Sequence, residues 1–208
     1  MNETLKRIIT GLISGIIFLG IFFYNQNAFS ISLLLILIFI LIFEWPKLIS
    51  PKTIKFWLIT PFYPILPFLA LIFLNQKYQS TEKLIAIYPF LIACSFDTIA
   101  YFIGSNFGKH KMCPSISPKK SWEGFGAGFI IILAINLFFF KTKFLVTLIL
   151  SLLLSFTAFF GDLLESFIKR KAKVKDSGSI LPGHGGLLDR FDSVIIVGTI
   201  LALFSLLS

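Results

Sequence analysis

The sequence predicts an all-α, polytopic integral membrane protein of about seven transmembrane helices, with the amino terminus inside and the carboxyl terminus outside. Three observations predict it. Hydrophobic residues fill 56% of the 208 positions and charged residues only 14%, giving a mean hydropathy of +0.90; an ordinary soluble domain is about a quarter charged. A chain this short cannot bury so much apolar surface within itself, and 26 Phe exclude disorder. The apolar runs, such as residues 32–39, also lack the apolar–polar alternation of a transmembrane strand.

A helical span needs about 20 mostly apolar residues. Seven segments approach this: 7–24, 29–43, 56–74, 84–103, 124–140, 144–161 and 190–207. The first has no small-residue cleavage site and reads as a retained span. The second ends at Glu44-Trp45-Pro46, where proline is expected to stop the helix. Pro61, Pro64 and Pro67 predict a kinked or broken third span. Gly124 and Gly128 in the fifth, like Gly11 and Gly15 in the first, have the spacing of close helix contacts. With the amino terminus inside, fifteen of the nineteen Lys and Arg fall on the inner side. Only Lys77, Lys83, Lys141 and Lys143 fall outside, an asymmetry that sets the orientation. No internal repeat or second domain is evident.

The net charge of +9 has two sources. Lys6, Arg7, Lys47, Lys52 and Lys55 need only anionic headgroups as partners. In segments 104–123 and 161–192 the cations are instead mixed with acids, glycines and prolines. Asp97, Glu123, Asp162, Glu165, Asp176, Asp189 and Asp192 lie in or beside these loops, and ionisable groups near membrane depth usually mark function.

If the sixth helix runs on past Gly161, then Asp162, Glu165, Ser166 and Lys169 share one helical face. The plain alternative is a solvated helix end with a Glu165–Lys169 pair. Gly183, Gly185 and Gly186 can shape an anion-binding nest just before a helix start, where free N–H groups favour phosphate. Asp189 and Asp192, three apart, share a face beside it. A carboxylate pair next to a phosphate-ready loop suits Mg²⁺ shared with a substrate phosphate, although a helix cap and a turn would use the same residues. In Ile116–Gly124, Lys119 and Lys120 suit phosphate, or else snorkel toward headgroups. Residues 104–110 lack the length and the Ser/Thr of a P-loop. Cys94 and Cys113 form no CxxC pair and predict neither a disulfide framework nor zinc.

The carboxyl-terminal pattern is highly specific. It comprises Ser166, Ile168, Lys169-Arg170, Lys175-Asp176, Gly178, Leu181-Pro182, His184-Gly185-Gly186 and Asp189-Arg190-Phe191-Asp192. In residue types and spacing it resembles the signature of the phosphatidate cytidylyltransferases, or CDP-diacylglycerol synthases. Asp97, Ala100-Tyr101, Gly104, Gly108 and Ser117–Gly124 resemble that family's upstream motifs, with Ser121 where Thr is common. The resemblance covers about residues 95–192.

The resemblance implies one membrane domain over 1–208, with N-terminal spans in 1–90 and a catalytic half in 95–208. It implies that phosphatidate attacks the α-phosphorus of CTP, giving CDP-diacylglycerol and diphosphate. Asp162 and Asp189 would be the principal Mg²⁺ ligands, with Asp192 and Asp97 as further carboxylates and room for a second, monovalent cation. Lys169, Arg170, Lys175 and Arg190 would hold phosphates. Ser117, Lys119 and Lys120 would complete the nucleotide site, with Gly185 and Gly186 lining it, and His184 would either serve the leaving diphosphate or fix its turn. The implied setting is the bacterial cytoplasmic membrane, with the site on the cytoplasmic side and lipid entering sideways. A homodimer is also implied, and no nucleic-acid partner. A phosphomonoester is largely ionised at pH 7, its second pKa being about 6, so no strong base is required. A CTP-dependent kinase for a membrane alcohol, or a non-catalytic transporter, would share the basic loops and intramembrane charges.

Overall fold

The computed structural model describes residues 3–78, 82–140, 142–180 and 185–207, with side chains from residue 9 to residue 206. His184 and Lys141, named above, lie outside the described residues. Helix α1 (Glu3–Tyr24) ends one residue before Asn25, whose Oδ1 accepts the N–H groups of Asn27 at 2.7 Å and Ala28 at 3.2 Å. That cap starts α2 (Gln26–Phe39).

The chain does not stop at Pro46. A π-helical turn, Ile40–Glu44, leads directly into α3 (Trp45–Leu48), with Pro46 in its first turn. A proline is tolerated there because its missing N–H would have no intrahelical acceptor. The third segment is broken, as its prolines predict. Helix α4 (Ile54–Ile59) passes through a turn at Pro61–Ile65, where Tyr63 is extended (φ −153°, ψ 115°), into α5 (Leu66–Lys77).

Helix α6 (Leu84–Asn106) leads to a two-stranded antiparallel hairpin, β1 (Lys111–Cys113) and β2 (Ser117–Ser121). The sequence reading had no strand here. Ser121 Oγ then accepts Gly124 N–H at 3.2 Å and caps α7 (Trp122–Phe139). Helix α8 (Phe144–Lys171), at 28 residues, is about 42 Å long. It runs ten residues beyond the predicted apolar limit at 161. Helix α9 (Leu188–Leu207) closes the bundle.

Among the described residues, five segments are long and apolar enough to cross a membrane: Gln26–Leu48, Ile54–Lys77, Leu84–Asn106, Trp122–Phe139 and Phe144–Lys171. The apolar part of α1, Ile9–Tyr24, is shorter, and α9 opens with Asp189, Arg190 and Asp192. Large side chains such as Ile16, Phe62, Phe138 and Phe144 face outward, the surface expected of a lipid-solvated protein. Inside, Phe18, Phe29, Phe90 and Phe191 pack edge-on or tilted, with ring centroids 4.8–6.2 Å apart.

Two polar locks pin the helices. Asn75 Nδ2 donates to Gln26 O and to Ser30 Oγ, both at 2.8 Å, joining α5 to α2. Tyr88 hydrogen-bonds Asn136, whose Nδ2 donates to Ser151 Oγ at 2.8 Å, joining α6, α7 and α8. Near the first lock, Lys77 donates to Ser205 O, so the ends of α5 and α9 meet there. At the opposite end lie α3, the hairpin, the end of α8 and the start of α9.

The glycine contacts divide. A Cβ on Gly124 would lie 2.5 Å from Ala100 O and one on Gly128 2.6 Å from the Phe96 ring, so α6 and α7 approach closely there. Gly15, expected to make a similar helix contact, has nothing within 4 Å of its would-be Cβ.

Candidate active site

Helices α8 and α9 meet at Gly161, where a Cβ would come within 2.9 Å of Ser193 Cα. Close approach at this point turns the polar face of α8 onto the first turns of α9. Lys169 Nζ sits between Glu165 Oε2 at 2.5 Å and Asp189 Oδ1 at 2.7 Å. The expected Glu165–Lys169 pair therefore exists, but Glu165 is 0% exposed and the pair belongs to an interior network, not to a solvated helix end. Such a buried pair persists only when further bonds complete it.

Asp162, Glu165 and Asp192 each offer a carboxylate oxygen within 4.8 Å of the others. Glu165 Oε1 is buried with no hydrogen-bond donor. Asp192 Oδ1 accepts Ser193 N–H at 2.7 Å, and Asp97 Oδ2 accepts the Ser193 hydroxyl at 2.8 Å. Among the described residues, neither Asp97 nor Asp192 forms an ion pair. Clustered carboxylates with an orphaned buried oxygen fit a hard divalent cation, which takes oxygen ligands.

Asp189 is engaged differently. Besides Lys169, its carboxylate accepts Gly186 N–H at 2.7 Å, Ser177 N–H at 2.9 Å and the Ser177 hydroxyl at 3.0 Å. Gly185 is in the left-handed region (φ +84°), as a tight turn before α9 requires. Asp189 thus ties the glycine loop to α8 through Lys169.

Beneath that loop lies Glu44, brought from the other half of the chain. It is 1% exposed, and its carboxylate accepts Leu187 N–H at 2.7 Å, Leu188 N–H at 2.9 Å and the Ser177 hydroxyl at 3.0 Å. A Cβ on Gly178 or Gly186 would come within 2.8 Å or 2.7 Å of this carboxylate. The two glycines of the signature therefore leave room for Glu44, which caps α9 in place of the helix's own side chains.

The hairpin covers the site from the side. Lys120 Nζ reaches Asp162 Oδ2 at 3.0 Å and donates to Phe159 O at 2.9 Å, while Lys119 Nζ lies 5.3 Å from the centre of the Tyr101 ring. Between hairpin and helices is a cavity of about 360 Å³. Asp97, Ser117, Lys119, Lys120, Asp162, Lys169, Asp189, Arg190 and Asp192 all line it, so nine predicted site residues from four elements converge.

Others do not reach it. Arg170 is exposed and donates to Val174 O at 3.0 Å, and Lys175 is exposed. Gly185 and Gly186 support Asp189 from behind instead of lining the cavity. Sequence reasoning missed Glu44, Ser177 and Ser193 as parts of the site, and did not count Glu165 among the metal ligands. For Glu165 the i, i+3 spacing from Asp162 was a usable signal; for Glu44 the sequence offered none.

The profile of the cytidylyltransferase family matches residues 51–208. A phosphatidate cytidylyltransferase of Bacillus subtilis is 45% identical over 127 residues, 57% of this chain and 47% of that protein. This chain thus aligns with about half the length of that relative. One from Rickettsia typhi is 35% identical over 206 residues, 93% of this chain and 88% of the relative. One from Rickettsia felis is 33% identical over 213 residues, 97% of this chain and 92% of the relative.

Proposed function

The chain belongs to the cytidylyltransferase family, and we propose that it is a phosphatidate cytidylyltransferase, turning CTP and phosphatidate into CDP-diacylglycerol and diphosphate. The observation that carries this reading is the convergence of hairpin lysines and helix carboxylates on one cavity. Two polyanions must meet for this reaction, and cations and cationic side chains relieve their repulsion.

Ser117, Lys119 and Lys120 hold the phosphates of CTP from the hairpin. Lys169 faces them from α8, and Arg190 on α9 holds the phosphate of the lipid. Asp162, Glu165 and Asp192 would hold Mg²⁺, which would supply charge neutralisation for the reacting phosphates. Asp189 lines the same cavity and, with its Oδ1 paired to Lys169, borders the site that would hold the ion. A phosphatidate oxygen attacks the α-phosphorus, the bond to the β-phosphate breaks, and diphosphate leaves. The nucleophile is already ionised, so no residue need take a proton from it. The cavity faces the cytoplasm, because fifteen of nineteen Lys and Arg fall on that side.

Product identification tests the reading. CTP labelled at the α-phosphate should deliver its label to the lipid fraction, and γ-label should appear in diphosphate. Transfer of γ-label to lipid would indicate a CTP-dependent kinase instead. No transfer of either label would exclude both reactions.

A further inference from the structure

A second cavity, of about 510 Å³, lies between α1, α2, α6 and the start of α9. Its walls are almost wholly apolar, with Phe18, Ile36 and Phe90 among them. It follows α1 from Thr10 to Ile21, about 16 Å at 1.5 Å per residue. That is roughly half of a 30 Å hydrocarbon core, the depth of one leaflet. Ile17, on its rim, is 57% exposed and opens it to the surrounding lipid. Arg190 lines this cavity and also the carboxylate cavity, so the two share one cationic residue.

We propose that this groove is the acyl-chain site of the lipid substrate, with Arg190 meeting the phosphomonoester where the groove joins the polar cavity. The inference rests on the reading above that the acceptor is phosphatidate. Charge complementarity and continuity select the occupant. The cationic residue stands at the polar end, the apolar walls are one leaflet deep, and the reacting phosphate must lie beside the carboxylates. Gly15 sits on the wall with nothing within 4 Å of its would-be Cβ, so the groove is open along α1 where a larger side chain would narrow it.

That open space makes the test clean. The Cβ of Gly15→Phe meets no atom within 4 Å, and its ring narrows the groove. Gly20→Phe, on the same helix and equally unobstructed but outside the groove, is the control. The 208-residue chains in mixed micelles are assayed with dioleoyl- and dioctanoyl-phosphatidate. Each displaced methylene is worth about fourfold in affinity. Gly15→Phe should therefore raise the dioleoyl KM by about tenfold or more, leave the CTP KM unchanged and spare the dioctanoyl lipid. Gly20→Phe should match wild type. Equal kinetics for the two variants would overturn the proposal. So would dissociation of a dimer by Gly15→Phe with the lipid KM unchanged, which would make the groove a subunit contact. If wild type transfers CMP to neither lipid, the functional reading fails separately. The groove is then tested with a phosphatidate carrying a diazirine on its acyl chain. Labelling of Phe18, Ile36 or Phe90 that is lost in Gly15→Phe supports the site, and labelling confined to outward-facing residues refutes it.

Discussion

Replacing Glu44 by alanine takes the acceptor from a half-buried backbone donor, Leu187 N–H, and a buried one, Leu188 N–H, now bonded at 2.7 Å and 2.9 Å. The Ser177 hydroxyl loses one partner but keeps Asp189. An unsatisfied buried donor costs about 1–3 kcal/mol, so the two N–H groups set a range of about 2–6 kcal/mol. The space vacated beside Gly178 and Gly186 is walled by polar groups, and water entering it moves the cost toward the low end. About 2 kcal/mol corresponds to roughly a thirtyfold population change. It falls on the loop that positions Asp189, because the apolar faces of α2 and α5 are untouched. Glu44→Ala should therefore insert normally, lose up to about thirtyfold in kcat, and become cleavable by protease between 177 and 188. Glu44→Gln keeps one acceptor and should lie between alanine and wild type. Wild-type kcat with wild-type protease resistance in Glu44→Ala would refute the clamp.

Lys169 and Arg170 are adjacent in the signature but separate in the structure. Lys169→Gln should abolish turnover, whereas Arg170→Gln should retain at least a third of kcat; equal losses would show that Arg170 reaches the substrate. Asp162→Asn, Glu165→Gln and Asp192→Asn should each raise the Mg²⁺ concentration needed for half-maximal rate. Their double variants should be little worse than the singles, as expected of residues serving one ion; chelation by EDTA should stop the reaction and Mg²⁺ restore it, and additive losses would argue against a shared ion. For sidedness, Thr142→Cys on a background lacking Cys94 and Cys113 should react with an impermeant thiol reagent from outside, and Val174→Cys should not. The reverse pattern would invert the orientation.

The helices were legible because crossing a membrane imposes a length and an apolar content that any window reveals. The break at Pro61–Ile65 was legible from its prolines. The passage through Pro46 was not, because the π-helical turn before it changes which N–H groups need acceptors. Ser117–Ser121 did not read as a strand, since Pro118 and two lysines give no alternation, and its pairing with Lys111–Cys113 is set by contacts with α6 and α7. The signature named residue types at fixed spacing but not where their side chains go. Lys169 points into the α8–α9 interface and Arg170 away from it, one residue further around the helix. Glu44 was invisible for a different reason. Its partners are 133 to 144 residues distant, and a single acid at a helix end resembles any headgroup neighbour.

The two asparagine locks carry a consequence for how the carboxylates are levelled. Lipid tails are as apolar as leucine, so greasy helices slide along one another with little to choose between one depth and the next. A slip of one turn would displace Asp97 by about 5.4 Å relative to its neighbours, more than the spacing within the acidic cluster. Asn136 joins α6, α7 and α8, and Asn75 joins α2 to α5, both remote from the acids. They act like pegs in a tuning head, fixing the heights of rods whose working tips lie at the other end. The vertical alignment of Asp97, Asp162 and Glu165 is thus set from the opposite end of α6 and α8, by an uncharged amide that lies outside the cavity.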